Sequence, residues 1–86
     1  MNISKYEQRT LHVLAQGGHI RYWKDKRGKI SKIQCVTREG WTLGDCTLAV
    51  FTKLRKRGFI ASHNSQPYRI TRDGLFAVRS QPDNKG

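Results

Sequence analysis

Four of the five residues from Lys53 to Arg57 are cationic. A run of this kind at the end of a helix can neutralise backbone phosphates and release their counterions. The same run also compensates the negative end of the helix dipole, so Lys53, Arg55, Lys56 and Arg57 have a structural reading beside the functional one. A second basic group, Arg21, Lys24, Lys26, Arg27, Lys29 and Lys32, is interrupted by one acid, Asp25, and interleaved with Tyr22 and Trp23. Cations beside aromatic rings suit nucleic acid, through phosphate contact and stacking. They equally suit a protein interface, where Trp, Tyr and Arg are preferred anchors, or the aromatic rings simply cover a small core. Arg69 and Arg72 lie near a third turn, within reach of a nucleic-acid backbone; Arg72 could instead pair with Asp73.

Bond-making chemistry finds little footing. His12, His19 and His63 are scattered, and no Ser-His-Asp order, paired carboxylates or glycine-rich phosphate loop is present. Cys35 and Cys46 are separated by ten residues, form no CxxC, and cannot be combined with the histidines into zinc-ligand spacing. Both read as small core residues in a reduced, cytoplasmic protein. No cofactor and no enzyme activity are expected.

The bulk numbers point the same way. The 86 residues are enough for one domain, and 17 Lys and Arg against 6 Asp and Glu give a net charge of +11. A pI near 10.4 favours a polyanion or an acidic protein surface as partner. No run approaches the roughly 18 apolar residues of a membrane span, and no apolar signal segment opens the chain. The oligomeric state is open: Trp41 and the basic segment could expose apolar surface for a dimer.

The elements that must position these residues follow from local signals. Ser4 and Glu7 fit a capping box for a helix over about 5–16, with Leu11 and Leu14 on its buried stripe and Gly17-Gly18 as its stop. Ile20, Tyr22, Trp23, Ile30, Ile33 and Val36 are strand formers around the turn Asp25-Lys26-Arg27-Gly28, which predicts a β-hairpin. Simple alignment across that turn pairs Trp23 with Ser31, Tyr22 with Lys32 and Arg21 with Ile33, leaving neither face cleanly apolar. Gly40-Trp41-Thr42-Leu43-Gly44 reads as a linker with two hydrophobic anchors, and Asp45 as the N-cap of a second helix. That helix would bury Leu48, Phe51 and Leu54, with Val50 on the flank, and stop at Gly58. Residues 59–61 and 68–70 read as paired strands. Thr71 caps a last helix burying Leu75 and Val78, with Phe76 alongside.

The predicted fold is α+β: a small winged-helix-like domain over residues 1–79, ordered helix, β-hairpin, helix, two-stranded wing, helix. A disordered tail is expected over 80–86. One departure is visible. A helix-turn-helix requires a support helix just before the recognition helix, and here a basic hairpin and a linker occupy that place.

Three blocks of residues, 7–15 (Glu7 to Ala15), 45–51 (Asp45 to Phe51) and 66–70 (Gln66 to Ile70), resemble the small bacterial YjhX family, and the likeness runs through nearly the whole chain. The resemblance implies the toxin half of a toxin–antitoxin pair, with a cognate antitoxin as partner, that binds DNA topoisomerase I and obstructs its engagement with DNA. An inhibitor of that kind needs a binding face and no active site. A protein of charge +11 is no mimic of DNA, so it would dock on an acidic or apolar patch, or occupy DNA jointly with the enzyme. The competing reading is a basic DNA-binding module or transcriptional regulator contacting double-stranded DNA. In either case the contact residues expected are Lys24, Lys26, Arg27, Lys29, Lys32, Lys53, Arg55, Lys56, Arg57 and Arg69.

Overall fold

A computed structural model describes residues 3–79, which form three helices and two antiparallel sheets. The expected tail from Ser80 lies outside the described residues.

Helix α1 (Lys5–Ala15) begins in the predicted capping box: the Glu7 amide donates to Ser4 Oγ at 3.1 Å, and the Ser4 amide donates to Glu7 Oε1 at 3.1 Å. Glu7, Thr10, Leu11 and Leu14 recur at helical spacing and form its buried face. Thr10 is buried without penalty because its hydroxyl donates to the Tyr6 carbonyl at 2.9 Å. The helix stops where Gly17 adopts φ +108°, a left-handed value that favours glycine.

Strands β1 (His19–Lys24) and β2 (Ile30–Val36) form the predicted hairpin around a turn tied by Asp25, whose Oδ1 accepts the amides of Arg27 and Lys29. The expected register holds only next to the turn, at Lys24 and Ile30. A bulge then makes Ser31 the extra residue and moves every later pair by one, so that Trp23 faces Lys32, Tyr22 faces Ile33 and Arg21 faces Gln34. This shift resolves the mixed faces expected from simple alignment. Ile20, Tyr22, Ile33 and Cys35 now share one side, and Arg21, Trp23 and Lys32 share the other.

The predicted linker is partly a strand. β3 (Thr42–Leu43) pairs with β2 through Leu43–Cys35 and Thr42–Val36, after a turn in which the Thr37 amide donates to the Trp41 carbonyl at 2.7 Å. Leu43 packs against the core, but Trp41 is 74% exposed and is not part of the core among the described residues.

Helix α2 (Leu48–Lys56) is capped by Thr47 rather than Asp45. Thr47 Oγ1 accepts the Val50 amide at 3.3 Å, while the Asp45 carboxylate is held 2.7 Å from the Arg9 guanidinium. Phe51 and Leu54 are buried as expected and Val50 joins them, while Leu48, at the first helical position, is 41% exposed. Strands β4 (Ile60–Ala61) and β5 (Arg69–Ile70) pair as expected, and Tyr68 forms a further bridge to Ile20 with backbone hydrogen bonds of 2.8 and 2.9 Å.

Helix α3 (Arg72–Arg79) is capped by Thr71, whose hydroxyl accepts the Gly74 amide at 3.1 Å and donates to the Gly58 carbonyl at 2.7 Å. Its buried face is Gly74, Ala77 and Val78; Val78 is buried as expected, but Leu75 is only half-buried and Phe76, expected alongside, is 72% exposed. Close packing of Gly74 on Phe59 sets this rotation. The core gathers Leu11, Leu14, Ile20, Phe51, Leu54, Phe59, Ile60 and Val78 with both cysteines. Each large apolar side chain there contributes about 1.5–3 kcal/mol of burial.

Candidate nucleic-acid or partner interface

The Ile20–Tyr68 bridge joins the first sheet to the second, and this connection builds the site. It sets the Tyr68 ring edge-to-face with Tyr22 (centroids 5.3 Å apart, 74°) and with Phe51 (4.9 Å, 87°). The Arg55 guanidinium lies 5.4 Å over the Phe51 ring, which ties the basic end of α2 to this aromatic cluster. Between hairpin and helix opens a cleft of about 330 Å³, lined by Tyr22, Lys24, Lys29, Ile30, Arg55, Tyr68 and the backbone of Gly28. Three cations from two distant segments therefore converge, and no carboxylate lines the cleft with them.

The ten expected contact residues divide into five groups. Lys24, Lys29 and Arg55 line the cleft. Lys26 and Arg27 project at the hairpin tip, with exposed side chains. Lys32 sits on the opposite hairpin face, its Nζ 5.0 Å over the Trp23 ring, with Arg21 at 5.3 Å from the same ring. Lys53, Lys56 and Arg69 are exposed outside the cleft lining. Arg57 stands apart from the other nine. Its Nε donates to Glu7 Oε2 at 3.1 Å, and the Glu7 side chain is 2% exposed, so this guanidinium is engaged in holding α2 to α1. Arg72 and Asp73 make no ion pair with each other among the described residues.

Tyr68 is the site residue that sequence reasoning missed. Its strand was legible, but its role depends on a bridge to Ile20 across 48 positions, for which no local signal exists.

The chain matches, over residues 1–85, the YjhX toxin family, described as "Putative toxin of bacterial toxin-antitoxin pair". It belongs to this family. Among similar curated proteins are UPF0386 proteins of Parvibaculum lavamentivorans (66% identical, over 99% of this chain and 100% of the relative) and Rhodospirillum centenum (60%, over 99% of each). That of Caulobacter sp. strain K31 is 58% identical over 99% of this chain and 93% of its own length. No solved structure is significantly similar. Membership of the YjhX toxin family makes a cognate antitoxin the implied partner.

The remaining titratable groups of this YjhX-family chain bear on stability. His19 is held below the ordinary histidine range by burial, then by the charges of Arg69 and Arg21. Cys35 and Cys46, free and buried, are brought together: a hydrogen bond to Cys46, with burial, pushes the Cys35 thiol well above the usual range. No group of three His, Cys, Asp or Glu suited to a metal occurs among the described residues. No helix among them is long and apolar enough to cross a membrane.

Proposed function

We propose that this chain is the toxin of its pair and acts in the cytoplasm, without catalysis, by binding DNA topoisomerase I and obstructing its engagement with DNA. The observation that carries the reading is the convergence of Lys24, Lys29 and Arg55 in one aromatic-walled cleft. Such a face acts by occupancy. Because the chain carries +11, it does not compete for a basic DNA path as a mimic would; it works beside the enzyme on the DNA that the enzyme must engage.

A supercoil-relaxation assay tests this directly. Stoichiometric protein slows relaxation by topoisomerase I, and a large excess of competitor DNA relieves the block. Unimpaired relaxation at several-fold excess of the protein discards the inhibitor reading.

A second reading, a winged-helix-like DNA-binding regulator, is favoured by one observation: α2 is followed by the short β4–β5 pair and then α3. The element before α2 is β3 rather than a support helix, which weakens insertion of α2 into a major groove. A regulator would select its own operator over unrelated duplex at equal salt, by orders of magnitude in affinity.

A further inference from the structure

We infer that the cleft between the β1–β2 hairpin and α2 is a binding site for single-stranded nucleic acid, accepting one phosphate and its attached base. The inference rests on the cationic cleft that also supports the proposed function, but it names a ligand that can be measured without topoisomerase.

Electrostatics comes first. Lys24, Lys29 and Arg55 repel one another across the cleft, and no carboxylate in its lining offsets them. The nearest acid in sequence, Asp25, is engaged in the hairpin turn through the amides of Arg27 and Lys29. An anion entering the cleft would relieve that repulsion. The walls then narrow the choice of anion. Tyr22 and Tyr68 are half-buried, and their edge-to-face packing, backed by Phe51, fixes both rings beside the cations. Rigid aromatic rings next to phosphate-binding cations are the pattern of single-strand recognition, where each exposed base offers a π-face.

Size and lining favour a single nucleotide unit over the alternatives. A volume of about 330 Å³ lies at the small end of ligand sites and suits one nucleotide unit. A duplex keeps its bases stacked inside and would present only phosphates to such a cleft, leaving both rings unused. The carboxylates of an acidic peptide would engage the cations, but only a side chain with an apolar or aromatic face beside them would use the rings, whereas every base brings one.

The test uses the whole chain and a fluorescein-labelled oligothymidine of about twelve nucleotides, followed by anisotropy. The comparison probes are a blunt duplex of equal length and polyglutamate of equal charge. Two double variants remove the same charge: Lys29→Gln with Arg55→Gln in the cleft, and Lys26→Gln with Arg27→Gln at the tip. The four residues are exposed, and circular dichroism checks that both variants keep the fold, since Arg55 also lies over the Phe51 ring. The cleft pair loses about tenfold or more in affinity for the oligothymidine, and the tip pair under about threefold. Tyr22→Leu, with folding checked by circular dichroism, loses about fivefold or more while the salt slope is unchanged, since it removes stacking and no charge.

Equal loss in the two double variants overturns the inference, because it reports net charge alone. Tighter binding of the duplex overturns it in favour of groove or backbone recognition, and displacement by polyglutamate at equal charge overturns it in favour of an acidic protein surface. Blocked relaxation without oligothymidine binding leaves the topoisomerase reading standing and removes this site. Cleft-dependent oligothymidine binding with normal relaxation does the reverse.

Discussion

Arg57, at the C-cap of α2, donates its Nε to the buried carboxylate of Glu7 in α1, fifty positions away, at 3.1 Å. The other Glu7 oxygen accepts the Ser4 amide, so one carboxylate caps α1 and docks α2. Removing Arg57 leaves a buried charge with half its partners. Arg57→Ala is expected to destabilise the fold by about 2 kcal/mol, and Glu7→Gln by a similar amount, because the new amide NH2 must face either the Ser4 amide or Arg57 Nε, both donors. Urea denaturation measures both. An Arg57→Ala midpoint equal to that of the parent would show that the pair contributes nothing.

Gly74 supplies the second prediction, because helix propensity and packing disagree there. Within α3, replacing glycine by alanine should gain about 1 kcal/mol. An alanine Cβ would, however, sit 2.4 Å from the Phe59 carbonyl oxygen and 2.7 Å from Ile70 Cγ1. The carbonyl is backbone and cannot swing away, so α3 must lift off. Gly74→Ala is expected to lose about 1–3 kcal/mol, and a raised melting temperature would contradict this.

The two caps of α2 make a direct comparison. Asp45 and Thr47 are both good N-cap types two positions apart, and the choice is made by the Arg9–Asp45 ion pair at 2.7 Å together with the Thr47–Val50 bond. Thr47→Ala should cost about 1 kcal/mol. Asp45→Ala breaks only an exposed ion pair and should cost between about 0 and 1 kcal/mol. The reverse order in thermal melts would restore Asp45 as the cap.

What could be read from the sequence was local. The Ser4–Glu7 box, the Gly17 stop and the Asp25–Gly28 turn each depend on residues within a few positions, and each is where expected. The bulge at Ser31 was invisible because strand formers alone do not fix register, and one extra residue moved every later pair. β3 has two residues and exists only because β2 offers an edge. The exposure of Phe76 follows from the face that α3 turns to Phe59 at Gly74, and that of Leu48 from its place at the first helical position after Thr47; a three-residue apolar spacing specifies neither. The site was legible as residue types, not as an assembly. Nothing near Lys24, Lys29 or Arg55 announces that the Ile20–Tyr68 bridge will bring them into one cleft, nor that Arg57, alone of its basic run, pairs with the buried Glu7 carboxylate.

His19 gives the fold a pH dependence of definite sign. Its folded pKa lies below the unfolded value near 6.5, through burial and the charges of Arg69 and Arg21. As pH falls through about 6.5 the unfolded chain takes up the proton first, so stability is lost on acidification and the loss levels off below the folded pKa. His19→Gln removes the titrating group and should flatten this part of the profile. Melting temperatures measured from pH 7.5 down to pH 5 in dilute buffer show the difference. Raising the salt should shrink it, since part of the shift comes from two partly solvated guanidinium charges. A parent protein that becomes more stable on acidification over this range, or a variant with the same slope as the parent, would rule out His19 as the source.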